Sequence, residues 1–448
     1  MIPALLISMA IAPAAPAEAA TRLTVRPMAA PKPALRYQLL PEVRELSPGN
    51  SVQWYLRCFA EQRNFFFGKQ GVEERDRYRK MPLAELAKEN LQTYGGGALT
   101  QADWGARLDT AEWDVLRKVQ TDGTELRVPE LASLRILGIA LQVRFRAAVA
   151  REDYDTAIRT AKTMFGLARH LGESPALEAN RLGLEIAELA LDTFEEMLQQ
   201  PNAPNLYWAY TDLPTPLVDL RKGFQGNRVL VDTELSSLRT DAAMTDEQLE
   251  QLLSKLSGRI GFVREQAGRS PKNVRVAFQA RVEDRERVAR IRTRLLNESK
   301  AEGVLEKVSA FKVMGYPALQ LILIDERSEF ETRRDELLKL LALAPWQIDA
   351  LTKGDPNRGD GLFADFLPGV VEHRRSQARL EQRIALLRTI EAIRLYAAKH
   401  EGNLPEKLEA IAVPVPVDPF TGKAFGYSVE GNVVQLIGDG KSYEVSVK

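Results

Sequence analysis

Cysteine is almost absent from this chain, which carries one, Cys58, in 448 residues. A single thiol makes neither an intramolecular disulfide nor a multi-cysteine metal site. Histidine is nearly as scarce: His170, His373 and His400 are the only three, and none falls in an HxxxH-type spacing. Net charge is lacking too, since 61 Lys and Arg face 61 Asp and Glu. Without a basic excess the chain has no field for general nucleic-acid binding. Reactive motifs are missing as well. There is no GxSxG, no HExxH, no Cys/His pairing and no nucleotide loop. Gly95-Gly96-Gly97 is not followed by Gly-Lys-Ser/Thr and reads as a turn. The stretch Gly354 to Gly361 holds Asp355, Asn357 and Asp360, but their spacing does not fit a calcium loop. No catalytic residue, metal ligand or cofactor is therefore assigned. Long hydrophobic runs are few: one apolar block, Leu319 to Ile324, leads into a charged helix, and another, Ala4 to Ala12, is too short for a permanent bilayer anchor. The following Ala17-Glu18-Ala19 fits the small-x-small pattern of a signal-peptide cleavage site, so residues 1–19 are expected to be removed on export, leaving no stable transmembrane segment.

What is present is helix. From Pro129 to Gln200 the apolar residues recur in steps of three and four: Leu134, Leu137, Leu141, Phe145 and Ala148, then Tyr154, Ala157, Ala161, Met164, Ala168 and Leu171, then Leu184, Ala187, Leu191, Phe194 and Leu198. That spacing puts them on one face of each of three helices. Gly172 is placed as a C-terminal cap and Ser174-Pro175 as an N-cap with an N1 proline. Short connections make the three antiparallel neighbours.

The rest divides around them. Residues 20–40 are rich in Ala and Pro and read as an extended linker. A helical body is assigned to 41–370. Within it, the aromatic-rich Gln53 to Phe67 is read as facing one core, Met81 to Thr93 as a helix, and Thr100 as a cap for the segment holding Trp104. The next helix is assigned Trp113, Leu116 and Val119, and Thr245 to Gln248 opens another with a capping box. Val274 to Leu296 reads as one charged helix. The stretch Lys272 to Arg294 has eight basic residues against three acidic ones, read mainly as a solvated face. The proline-punctuated loop Pro201 to Pro216 carries Tyr207, Trp208 and Tyr210. These three are the candidate binding residues, weighed against the alternative that they plug the open end of the helical layer.

Two resemblances follow from specific residues. Arg151-Glu152-Asp153-Tyr154-Asp155-Thr156-Ala157-Ile158 resembles the middle of a tetratricopeptide repeat, where an acidic turn precedes the Tyr and Ala that pack the second helix on the first. It covers one helix pair, has Phe145 where that repeat usually has glycine, and has no second copy at the repeat period. It implies a repeat-like layer of helical hairpins. Nearer the end, an apolar stripe of Leu380, Ile384, Leu387, Ile390, Ile393 and Ala397 leads through Tyr396, Gly402, Leu404 and Pro405. Asp418-Pro419-Phe420-Thr421-Gly422 and aromatic Phe425 and Tyr427 follow. This resembles the globular head of type II secretion pseudopilins and related pilin-like proteins, and implies a small α+β module over 371–448. Strands are expected at Tyr427–Val429, Val433–Ile437 and Tyr443–Val447. The helix lies near the C-terminus and is studded with Arg and Glu, so pilus assembly is not carried over.

The fold class expected is thus mainly α, antiparallel helical hairpins with a small C-terminal α+β module. The function expected is a non-catalytic cell-envelope or secreted protein that binds a protein or peptide partner. The alternative is an exported hydrolase using a carboxylate pair, a chemistry that leaves little sequence signature.

Overall fold

A computed structural model describes residues 20–266, 274–301, 313–352 and 361–448. The chain opens with strand β1 (Thr21–Val25) and the short β2 (Ser47–Asn50), followed by α1 (Ser51–Glu61), α2 (Arg63–Phe67), α3 (Lys69–Lys80), the single turn α4 (Leu83–Leu86) and α5 (Gly96–Gly105). Strand β3 (Leu108–Thr110) pairs with β2 and leads to α6 (Leu116–Asp122). The central helices are α7 (Glu130–Ala150), α8 (Tyr154–Gly172) and α9 (Leu177–Leu198), followed by α10 (Tyr207–Thr211) and α11 (Arg221–Leu235). Then come α12 (Asp246–Gln266), α13 (Val274–Glu283), α14 (Arg285–Ala301), α15 (Ala318–Leu338), α16 (Pro345–Leu351) and the long α17 (Val370–Lys399). Strands β4 (Gly426–Glu430), β5 (Val433–Ile437) and β6 (Ser442–Val447) close the chain. The architecture is mainly α with a small C-terminal sheet, as the periodicity requires.

Helices α7, α8 and α9 pack on one another through the expected faces. Of the sixteen apolar positions named for them, all but the half-buried Tyr154 are buried. Burial of each large side chain contributes about 2 kcal/mol. Phe194 of α9 meets Phe145 edge-on at 5.0 Å and stacks on Phe165 at 6.0 Å, joining all three helices. The expected caps differ in detail. Helix α8 continues through Gly172, where a Cβ would lie 3.1 Å from the Asp219 amide nitrogen, so the glycine serves close packing. Ser174 accepts from the Ala176 amide in a local turn, and α9 starts later, at Leu177. The capping box at α12 forms as read, with reciprocal Thr245–Gln248 bonds of 3.0 and 3.2 Å.

Several local expectations are corrected. Only one turn of helix, α4, forms in Met81 to Thr93. Thr100 lies inside α5 and bonds to the Gly96 carbonyl, while Gly95, at φ +75°, opens that helix. Trp113 precedes α6 and its indole donates to the His170 carbonyl at 2.8 Å. The charged stretch from Val274 is two helices, because Asp284 breaks it and its carboxylate accepts from the Arg287 amide. The Gly354–Gly361 turn falls largely outside the described residues, and the signal-peptide segment 1–19 wholly so.

The main departure concerns residues 20–40, which are not a spacer. Thr21–Val25 pairs in parallel with β6, from Thr21 opposite Tyr443 to Val25 opposite Val447. The sheet order is β1-β6-β5-β4, with Leu23, Val25 and Leu39 buried in the main core. The three C-terminal strands form where alternation places them, and Gly431 turns between β4 and β5 at φ +60°.

Nor does the core divide at residue 370. One continuous apolar cluster joins α7–α10 to α17 and the sheet, so 371–448 shares its interior with the helical body. A second cluster is formed instead by Val231 to Phe366, from the end of α11 through α12–α15.

Candidate functional site

Helix α17 is the element on which possible sites converge. Of its apolar stripe, Leu380, Leu387, Ile390, Ile393 and Ala397 are buried against the body, and Ile384 is half-buried. Arg394, within that stripe, is fully buried as well. Its guanidinium bonds Glu391 at 2.9 Å, the Arg26 carbonyl at 2.8 Å and the Ala203 carbonyl at 2.8 Å. It thereby ties the N-terminal strand segment and the loop after α9 to α17. Burial raises the Glu391 carboxyl and the Arg394 charge opposes that rise.

The turn after α17 is organised by Asp418, also buried. Its carboxylate accepts from the Phe420 amide at 2.9 Å, the Asp439 amide at 2.8 Å and the Gln382 side chain at 3.0 Å. One acid thus fixes the Asp-Pro turn to the sheet and to α17. Gly422 completes the turn at φ +67°. Phe425 is buried, whereas Phe420 and Tyr427 are half-buried, and the Tyr427 hydroxyl donates to the Pro405 carbonyl at 2.6 Å.

Two depressions flank α17. The first is polar, about 620 Å³, between α9, α17 and the β5–β6 turn. Glu188, Asp192 and Glu195 project from one face of α9, and Arg375, Arg379 and Arg383 from α17. This is where a carboxylate pair would be sought. Arg383 bonds Asp192 at 2.6 Å and Glu195 at 2.8 Å, and the Tyr443 hydroxyl donates to Glu195. Both carboxylates are thus partners of one guanidinium. The Glu188 carboxyl is raised, chiefly by desolvation. Among the described residues no group of three or more His, Cys, Asp or Glu is arranged to hold a metal ion.

The second depression is an apolar groove of about 390 Å³. Leu380, Ile384 and Ala385 of α17 form one wall, with Leu213, Pro214, Leu217 and Val218 opposite and Pro416, Val417 and Pro419 along the rim. Glu381 lines it while paired to Arg374 at 3.2 Å, its carboxyl raised by burial. At one end Arg388 lies 5.1 Å over the Tyr207 ring and donates to the Tyr207 hydroxyl at 3.2 Å. Its Nε–H has no acceptor.

The three candidate binding residues fall around this groove unequally. Tyr207 and Tyr210 are buried and Trp208 is half-buried, all on or beside α10, so they are packing residues and not an exposed patch. Tyr210 meets Phe194 at 5.6 Å and reaches the groove, whereas Tyr207 donates to the Pro414 carbonyl at 2.6 Å and supports Arg388. Of the two readings of this loop, plugging the layer describes the tyrosines. Sequence reasoning placed Ile384 in the α17 stripe but not beside a groove, and missed Arg388. The signal available was a pair of proline-punctuated loops, Leu213-Pro-Thr-Pro216 and Val413-Pro-Val-Pro416, which flank the same helix here.

No protein-family model, curated protein or solved structure matches this chain.

Proposed function

We propose that this is a non-catalytic protein of the cell envelope that holds an extended peptide segment of a protein partner in the groove beside α17. The observation that supports it most is the pairing of apolar walls with the half-buried guanidinium side chain of Arg388 at one end. Such a site has an apolar body for side chains and a polar handle for a backbone carbonyl or a terminal carboxylate. Val417 on its rim is 54% exposed, so a partner would cover an apolar side chain now in water. The pseudopilin-like head and the Ala17-Glu18-Ala19 pattern support export. Because β1 starts at Thr21, a mature N-terminus at Ala20 leaves every pair of the sheet intact.

A photo-crosslinking residue placed at Val417 in the native host tests this reading. It should give a discrete protein adduct from the envelope fraction, carrying a chain that starts at or near Ala20. The adduct should disappear with Ile384→Arg and be absent when the crosslinker sits at Val276, 60% exposed on α13. Equal adducts from both positions, or none from Val417, would sink the groove. An intact Met1 on cytoplasmic protein would sink export.

A further inference from the structure

Away from the groove, the aromatic segment Gln53 to Phe67 divides in a way that packing does not explain. Tyr55 and Phe66 are fully buried, but Leu56 is 37% exposed and Phe67 43%, and Trp104 of α5 joins them at 50%. Trp54 and Trp104 meet edge-on at 5.2 Å at one side of this face. At the other, Phe59 and Phe67 lie 5.7 Å apart and line a shallow depression with Ala60 and Arg63. Arg57 stands 5.0 Å from the Trp54 ring. Neither Arg57 nor Arg63 has an ion pair among the described residues. The neighbouring acid Glu61 is engaged by the Gln101 amide at 2.9 Å.

Exposed indole and phenyl rings with uncompensated guanidinium groups between them are what a bilayer interface selects. Rings settle at the boundary of headgroups and acyl chains, and arginines pair with phosphates while their stems lie along apolar surface. Charge complementarity decides the occupant, because two unpaired cations call for anionic headgroups. No helix among the described residues is long and apolar enough to cross a membrane, so the contact is with the surface. We infer that the outer face of α1 and α2, with Trp104, is a docking site for a membrane surface bearing anionic phospholipids. The site is separate from the groove and stands or falls independently of it.

Flotation of the full chain lacking residues 1–19 with vesicles tests the inference. The chain should float with phosphatidylethanolamine vesicles containing phosphatidylglycerol, with a blue shift in tryptophan emission, and stay behind with phosphatidylcholine alone. Added salt should weaken the binding. Arg57→Glu with Arg63→Glu should lower affinity at least tenfold, whereas Arg57→Lys with Arg63→Lys should retain most of it. Trp104→Ala with Phe67→Ser should remove the blue shift without changing the circular dichroism melt. Equal binding to both vesicle types, or anionic binding untouched by the Glu variants, overturns the site. So does failure to bind vesicles together with capture of a protein by a crosslinker at Trp104, which would make the face a protein interface.

Discussion

Replacing Arg394 by methionine removes a fully buried cation from the main core while keeping a side chain of similar reach. The loss can be worked from its partners. Arg394 is 0% exposed, and Glu391, its ion-pair partner at 2.9 Å, is 2% exposed. Breaking a buried pair by deleting one member costs about 3–5 kcal/mol, because the remaining charge has no water to turn to. The Arg26 and Ala203 carbonyls also lose donors, at about 1–3 kcal/mol for each that stays dry. One effect limits the total. Burial already raises the Glu391 carboxyl, so without the guanidinium it takes up a proton instead of remaining a bare anion. We expect a net loss of about 4 kcal/mol, a large share of the 5–15 kcal/mol typical of a folded protein. The second apolar cluster supplies an internal control. Hydrogen exchange resolved by peptide should show lower protection in Thr21–Val25 and in α17, with α12 and α15 unchanged. The double variant Glu391→Leu with Arg394→Met should recover most of the loss, since replacing both members by apolar residues is often neutral. A single-variant loss under about 1 kcal/mol, or a double variant no better than the single, would refute the account of Arg394 as the tie between the chain's two ends.

Two further outcomes are expected. His170 is buried and its Nδ1 lies 2.8 Å from the Tyr55 hydroxyl; burial lowers its pKa from 6.5 to about 4. The unfolded chain therefore binds a proton that the folded chain refuses, and stability falls as pH drops from 6.5 to 4, by up to about 3 kcal/mol. Carboxyls raised by burial, such as Glu326 and Glu381, act in the opposite direction, so the quantity to measure is the urea-midpoint difference between wild type and His170→Asn across that window. A difference independent of pH would count against a neutral buried imidazole. Gly422→Val should destabilise the C-terminal turn by about 1 kcal/mol or more, because φ is +67° there and a Cβ would come 2.8 Å from the Trp346 indole nitrogen. An unchanged thermal midpoint would contradict the constraint.

How much of this was legible follows from the range of each interaction. The helices α7–α9 and the strands β4–β6 could be read because their signal is local periodicity, whether 3.6 or 2 residues. The glycines that turn the C-terminal module were legible for the same reason. Strand β1 was not. Five residues reading Thr-Arg-Leu-Thr-Val alternate, but their partner lies at the far end of the chain, and an adjoining Ala/Pro-rich stretch pulls the reading toward a linker. The boundary set at 370 failed for the same reason. A head-like module read in isolation hides the fact that its helix is also a core helix of the body. The tyrosines of α10 were visible as aromatics, but whether a ring on a loop faces water or closes a layer depends on what packs over it.

The arginine run from Lys272 to Arg294 was read mainly as a solvated face, which describes the exposed Arg275, Arg285, Arg290 and Arg294, but its ion pairing was missed because charge was counted along the chain and not across the fold. In the structure its cations face a pair of buried acids. Glu326, with a side chain 0% exposed, takes Arg281 at 2.7 Å, Arg287 at 2.8 Å and the Leu362 amide at 2.7 Å. Its neighbour Asp325 takes Arg294 at 2.7 Å. Arg275 pairs with Glu250, and Arg290 with Glu286 from within the run, both at exposed positions, so it is Arg281, Arg287 and Arg294 that meet the acids of the second core. The sequence did contain the other half of this arrangement. Asp325-Glu326 follows directly on the apolar block Leu319 to Ile324, and residues next to such a block on a helix cannot all reach water. Two acids placed there require cations from another element. The nearest surplus in the chain is the run some forty residues upstream. Reading the acids and the arginines as one object would have put α14 against α15 from the sequence alone.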